Sequence, residues 1–140
     1  MNWIPMIDAA TAVREKAHAP YSNFRVGAAL RAADGSIFPG CNVENRTFGL
    51  TVCAERSAVL AAVAAGQRTF DALVVITDCS PAALPCGLCL ETLTEFAQDL
   101  PILVTNLAGE RHETTLRKLF PTPFEWPETA RPVSDRAESR

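Results

Sequence analysis

Cys53-Ala54-Glu55 and Pro85-Cys86-Gly87-Leu88-Cys89 place three thiols and a carboxylate in two short motifs, with Cys53 and Cys86 33 positions apart. Three thiolates leave a tetrahedral zinc one open position, the arrangement a catalytic zinc requires. A carboxylate two residues from a ligand is the natural proton carrier for a water held at such a metal. The pattern therefore reads as a metal-assisted hydrolase, with Cys53, Cys86 and Cys89 offering thiolates to the metal and Glu55 as proton carrier.

Plainer readings of the same residues stand beside this one. Cys86-Gly87-Leu88-Cys89 at a helix start also fits a thioredoxin-type redox motif, whose thiol pKa is lowered by the helix N-terminus; the upstream Cys53-Ala54-Glu55 argues against it. A closed structural zinc site needs a fourth ligand, for which Cys41, Cys79, His18 and His112 are the candidates. None has a short ligand-type spacing to the other three. Cys41 and Cys79 read most simply as buried small hydrophobes, and His18 and His112 as surface residues. Glu55 could be an ordinary first-turn carboxylate, and Arg56 a solvated helix charge.

The elements that must position these groups follow from patterning. Ile4, Ile7, Ala10 and Val13 recur at helical spacing over Ile4–Lys16. Ala19-Pro20-Tyr21-Ser22-Asn23 is a turn. Phe24–Leu30 and Ile37–Val43 read as strands joined by a hairpin at Asp34-Gly35. Val52–Ala65 is alanine-rich and ends at Gly66, the pattern of a helix and its C-cap. Leu73–Thr77 and Ile102–Thr105 are apolar runs suited to buried strands. Cys86–Phe96 and Thr114–Phe120 read as helices. This order predicts an α/β fold, a mixed sheet with helices on both faces.

Both cysteine motifs fall at helix beginnings, which matters for the metal. Zinc with three thiolates carries a net charge of about −1, opposing ionisation of a bound water. Two helix N-termini, each worth roughly half a positive charge, offset part of it. Arg56 can add a full charge by hydrogen bonding to a ligand sulfur.

Composition bounds the function. A chain of 140 residues with 48% hydrophobic and 21% charged residues fits one globular domain. The net charge of −3 offers no basic footprint for nucleic acid. No apolar run approaches the roughly 20 residues that span a bilayer, and the start lacks the pattern of a signal peptide. Five cysteines without an export signal point to a reducing, cytoplasmic setting. The domain is expected over residues 1–126, with 127–140 a Pro- and charge-rich disordered tail.

At the cysteine motifs the chain resembles the small zinc-dependent cytidine deaminases, whose pattern is a His or Cys two before a Glu, then Pro-Cys-x-x-Cys. Pro20-Tyr21-Ser22-Asn23-Phe24-Arg25-Val26-Gly27-Ala28-Ala29 is similar to that family's opening strand. Gly40-Cys41-Asn42-Val43-Glu44-Asn45 is similar to its ribose-contacting segment. Gly49-Leu50-Thr51-Val52-Cys53-Ala54-Glu55-Arg56 and the second cysteine motif complete the site, and Leu119-Phe120-Pro121 through Phe124 resembles the terminal segment. The match runs in order over about residues 5–125.

The resemblance implies a three-layer α/β/α fold with a mixed sheet of about five strands, one zinc per subunit, and hydrolytic deamination of cytidine or deoxycytidine in pyrimidine salvage. Cys53, Cys86 and Cys89 would hold zinc, with water or hydroxide as fourth ligand. Glu55 would take the water's proton and deliver it to ring N3 while C4 is attacked, and ammonia would leave. The Ala54 backbone would meet the carbonyl edge of the pyrimidine, Phe24 would pack on the nucleoside, and Asn42 with Glu44 would bind the ribose 3′-hydroxyl. Phe124 would reach a neighbouring subunit's base in a homotetramer. From the residues alone, Phe24 and Phe124 read equally as core or interface aromatics, and Asn42 and Glu44 also as turn or capping residues.

Three departures from the family pattern bear on substrate. Leu90 and Glu91 stand where the family usually has Arg and Gln, so we expect Glu91 to pair with Arg56 and hold it against the sulfurs. Arg46-Thr47-Phe48 replaces Ala-Ser-Tyr, and Leu84 replaces Ser. A deaminase of a modified cytosine nucleoside, blasticidin-like or altered at the 5′ position, is the alternative within the same chemistry. A catalytically idle, zinc-stabilised binding module is the alternative outside it, and intact Glu55 argues against it.

Overall fold

Strand β3 (Phe70–Thr77) lies at the centre of a five-stranded sheet, because its apolar run buries both faces. Leu73 and Val75 face one core while Ala72, Val74 and Ile76 face the other, the period-two alternation of a strand. The computed structural model describes residues 1–130. The sheet order is β2-β1-β3-β4-β5, with β1 Gly27–Ala32, β2 Ile37–Cys41, β4 Pro101–Asn106 and β5 Arg111–Thr115. Only β3 and β4 pair in parallel, so the sheet is mixed.

Helix α1 (Ile4–Arg14) covers one face through Met6 and Ala10, together with Trp3 just before it. Helices α2 (Ala54–Ala64), α3 (Gly87–Thr94) and α4 (Leu116–Leu119) lie against the other, where Ala58, Val59, Leu90, Leu93 and Leu116 meet Leu73, Val75 and Ile102. This is the expected three-layer α/β fold. Each fully buried Leu, Val or Ile contributes about 1.5–3 kcal/mol relative to exposure, so the doubly covered β3 anchors the assembly.

Local differences from the sequence expectation have physical causes. The buried positions on this side are Trp3, Met6, Ala10 and Arg14; of the expected stripe Ala10 is buried, Ile7 packs on its margin, Val13 is half-buried and Ile4 is exposed. Arg14 can be buried there because its guanidinium donates to the Arg25 carbonyl at 3.1 Å and pairs with Asp78 at 3.1 Å. The hairpin turns at Gly35, whose φ of 90° suits glycine. Its strands are shorter than expected: Phe24, Val26 and Asn42 leave the ladder to line a cavity, and Val43 bridges instead to His18 and Val52. Strand β5 was not expected, and the helix expected over Thr114–Phe120 shortens to α4 behind it. The sequence of β5, Arg-His-Glu-Thr-Thr, is polar and lies at the sheet edge, so it lacks an apolar alternation. The stretch expected as a tail from 127 begins with a 3-10 turn at Glu128–Ala130; residues 131–140 lie outside those described. Among the described residues no helix is long and apolar enough to cross a membrane.

Candidate active site

Cys53 and Cys86 are the N-cap residues of α2 and α3, and neither side chain is spent on capping its helix. Their extended backbones turn both thiols to one place, and Cys89 joins them from the first turn of α3. The Cys53 and Cys86 sulfurs are 3.7 Å apart, those of Cys86 and Cys89 3.6 Å, and all three lie within 4.8 Å of one another. Zn–S bonds of about 2.3 Å in a tetrahedron put sulfurs roughly 3.8 Å apart, so three soft donors at this spacing can hold one zinc ion. All five cysteines are free thiols. Among the described residues no fourth His, Cys, Asp or Glu joins the group, so Cys41, Cys79, His18 and His112 do not close it. Cys79 instead contacts the Thr77 hydroxyl at 3.1 Å.

The electrostatics of the cluster fit a cation. A hydrogen bond from the Cys89 thiol is the largest influence pulling Cys53 down to about 5; Arg56 and Cys86 assist and burial opposes. Cys89 is pushed up by the same bond, then by burial and the Glu55 charge. The Cys89 hydrogen bond first, then the Arg56 guanidinium, favours thiolate at Cys53, and its place at the N-terminus of α2 acts in the same sense. Arg56 donates through Nη2 to the Thr51 carbonyl at 3.1 Å and to the Cys53 sulfur at 3.6 Å, which raises its own pKa. Its Nε is buried without a partner among the described residues. A cation held this way balances the net negative charge of a zinc–trithiolate centre.

Glu55, in the first turn of α2, is 5% exposed. Burial raises its carboxyl pKa, and the negative charge of Cys53 adds to the shift. A carboxyl so placed takes up a proton readily, as a group that is base first and acid second must.

Glu55, Ala54, Cys53 and Cys86 form one end of a cavity of about 310 Å³, and Phe24, Asn42 and Glu44 form its wall. Short pairings bring these segments together. Val43 and Val52 exchange two backbone hydrogen bonds of 2.9 Å, which sets Cys53 beside the Asn42–Glu44 strand end. Asn42 accepts the Val26 N–H at 2.8 Å and donates to the Phe24 carbonyl at 2.7 Å, replacing ladder bonds where the strands part. Glu44 accepts the Tyr21 and Ser22 N–H groups at 2.9 and 3.1 Å and the Ser22 hydroxyl at 2.5 Å. These bonds, that of the Ser22 hydroxyl foremost, lower its pKa. Asn42 and Glu44 are therefore braces of the Tyr21–Val26 wall. Among the described residues Asn42 keeps one N–H and Glu44 one lone pair without a partner, the complement of a single hydroxyl group.

Two expected positions lie elsewhere. Phe124 is 66% exposed, packs edge-on against Trp126 with ring centroids 5.4 Å apart, and lines a separate groove that also includes Glu91. Glu91 makes no ion pair with Arg56 among the described residues, which corrects that expectation. Helix geometry is the reason. Cys89, Leu90 and Leu93 form the buried face of α3, and Glu91, two residues past Cys89, points away from it. Leu90 is a core residue here. Thr51, Val75 and Thr77 also line the cavity; Thr51 lies in the Gly49–Arg56 segment but has no role assigned from sequence, and Val75 and Thr77 read only as a buried strand. Leu84, noted as a departure, is part of the lining.

Comparison with known proteins supplies the family. Residues 4–104 match the model of the cytidine and deoxycytidylate deaminase zinc-binding region. A cytidine deaminase of Sporosarcina psychrophila is 48% identical over 112 residues, covering 79% of this chain and 82% of that protein. A cytidine deaminase of Halalkalibacterium halodurans is 41% identical over 120 residues, 85% of this chain and 91% of the other. The crystal structure of a cytidine deaminase from Burkholderia pseudomallei superposes with a TM-score of 0.85 at 45% identity, covering 89% of this chain and 100% of that one. Fold, cysteine cluster and sequence agree that this chain belongs to the cytidine and deoxycytidylate deaminase zinc-binding family.

Proposed function

We propose that the protein is a zinc-dependent hydrolase that converts cytidine or deoxycytidine to the corresponding uridine and ammonia. The observation that carries this reading is a buried Glu55 and a three-cysteine cluster that share a cavity with Phe24, Asn42 and Glu44. Zinc held by Cys53, Cys86 and Cys89, one per subunit, supplies a Lewis acid that makes water nucleophilic near neutral pH. Glu55 accepts the proton of the water that attacks C4 and passes it to ring N3. It then takes the remaining proton of the C4 hydroxyl and gives it to the amine; the C4–N bond breaks as the C4 carbonyl forms, so that water and cytidine yield uridine and ammonia. Burial favours the neutral Glu55 that the first transfer creates.

The Ala54 backbone orients the pyrimidine's carbonyl edge, and Phe24 supplies an apolar surface for the nucleoside. The free N–H of Asn42 and the free lone pair of Glu44 take the 3′-hydroxyl. Arg56 steadies the thiolates; Glu91 has no part in that. Exposed Phe48, Leu50, Leu60, Leu88 and Phe124 support burial between copies of the chain. In a homotetramer Phe124, remote from its own cavity, reaches a neighbour's base. A nucleoside substrate and free cysteines suit a cytoplasmic enzyme of pyrimidine salvage.

A second reading, a cytosine nucleoside enlarged beyond the ribose, draws on a concavity walled by Tyr21 and Phe48, which shares Ser22, Glu44 and Thr51 with the main cavity. Ultraviolet absorbance of zinc-loaded protein with cytidine, with Glu55→Ala as control, tests the proposal. Turnover that the control abolishes is expected; no turnover of cytidine or deoxycytidine by fully loaded protein overturns it.

A further inference from the structure

We infer that Gly40 is a positioning residue that sets the distance between the proton-transfer end of the cavity and its hydroxyl-recognising wall, an inference that rests on the nucleoside reading above. Gly40 lies in β2 at the sheet edge, paired with Ala28, two residues before Asn42. It also faces the opening turns of α2, the helix that begins at Cys53 and carries Glu55. A methyl group on its Cα would lie 2.3 Å from the Ala58 nitrogen, 2.5 Å from the Ala54 carbonyl oxygen and 2.9 Å from the Ala58 Cα. All three are backbone atoms, so no rotamer change relieves the overlap. Its φ is negative, so glycine is needed here for close approach and not for a special conformation.

The consequence for the site is directional. Asn42 and Glu44 continue from β2, whereas Cys53, Ala54 and Glu55 open α2, and Gly40 is where strand and helix backbones touch. A side chain there must part them by roughly 1 Å, a misplacement of the size that costs ~10²-fold in rate. The α2–α3 packing that gathers the three sulfurs is not at this junction. Gly40→Ala should therefore weaken engagement of a ligand that spans both ends while leaving the metal site intact.

The test compares zinc-loaded wild type, Gly40→Ala and Met6→Ala for zinc content, uridine affinity by calorimetry, and kcat and KM for cytidine. Met6 is buried in the core on the opposite face of the sheet, so its truncation controls for lost stability. The expected result is one zinc per chain in all three proteins. For Gly40→Ala alone we expect weaker uridine binding and a kcat/KM lower by ~10²-fold. Should Gly40→Ala fail to fold, Ala58→Val enlarges the same junction from the helix side and is expected to weaken uridine binding with zinc retained. Wild-type kinetics in the folded variant, zinc lost in step with activity, or an equal loss in Met6→Ala each overturns the inference. A wild type that neither turns over cytidine nor binds uridine overturns the functional reading and this inference together; an active wild type with an unaffected Gly40→Ala overturns this inference alone.

Discussion

Asn42 offers the sharpest test of how the cavity wall is built. The residue is 7% exposed, and its side chain spans the point where β1 and β2 part, accepting the Val26 N–H at 2.8 Å and donating to the Phe24 carbonyl at 2.7 Å. Asn42→Ala leaves both backbone groups without that partner. A fully buried orphan costs about 1–3 kcal/mol, but water reaches Phe24 and Val26, so the low end applies and the total is roughly 2 kcal/mol. For a chain of this size that lowers Tm by roughly 6–8 °C. Asn42→Asp asks a finer question, since it keeps the shape and the acceptor for Val26 but faces the Phe24 carbonyl with a carboxylate oxygen. Two acceptors then oppose each other at a buried site. The new carboxyl has its folded pKa raised above the unfolded value of about 3.9. Its contribution to stability is therefore fully present below the unfolded pKa and lost as pH rises through the folded one. Melting of zinc-loaded proteins followed by circular dichroism should show Asn42→Asp nearer to wild type at about pH 5 than at about pH 7, with no such trend for Asn42→Ala. An Asn42→Asp variant that matches wild type at both pH values, or runs parallel to Asn42→Ala, would refute the assignment of donor and acceptor.

Other perturbations test the remaining parts. Glu55→Gln should lower kcat by ~10²–10⁴-fold with zinc retained, and a near-normal rate would remove Glu55 from proton transfer. In metal-free protein the raised pKa of Glu55 means its stability contribution is present below the ordinary value of 4.5 and lost as pH rises through the folded pKa. Glu55→Gln should then melt above metal-free wild type at neutral pH, with the gap closing on acidification; a constant gap would contradict this. Chelation should lower Tm, because a ligand at 100 times its Kd stabilises by about 2.7 kcal/mol; Cys89→Ser should bind no zinc and be indifferent to chelator. Asp99 accepts the Leu100 and Arg117 N–H groups at 2.9 Å, which lowers its pKa, Arg117 first. Its stabilisation is present above the ordinary 3.8 and lost as pH falls through the folded value. Exposure limits the effect of Asp99→Ala to under ~1 kcal/mol, read by urea denaturation at neutral and acid pH.

The chain's local chemistry carries its own signal. Cys53-Ala54-Glu55 and Cys86-Gly87-Leu88-Cys89 announce a metal and a proton carrier because donor type and helical spacing are properties of a few adjacent residues. The apolar run of β3, the alanine-rich α2 and the Asp34-Gly35 turn reveal themselves equally, since burial on two faces, helix propensity and positive φ each leave a compositional mark. The tertiary structure decided what depends on residues far apart in the chain. Edge strand β5, polar and recognisable only by pairing with β4, is one case. Arg14 in the buried stripe of α1 is another, paired with Asp78 at the end of β3. Glu91 turns away from Arg56 because the packing of α3, not its neighbour in sequence, chooses the inward face. Asn42 and Glu44 are motif residues, yet that they brace Tyr21–Val26 follows only from where those backbone groups lie. The close approach of Gly40 to Ala54 and Ala58 belongs to the same class. Side-chain chemistry and local periodicity are written in the sequence, whereas register, facing and distance arise when separate segments share one core.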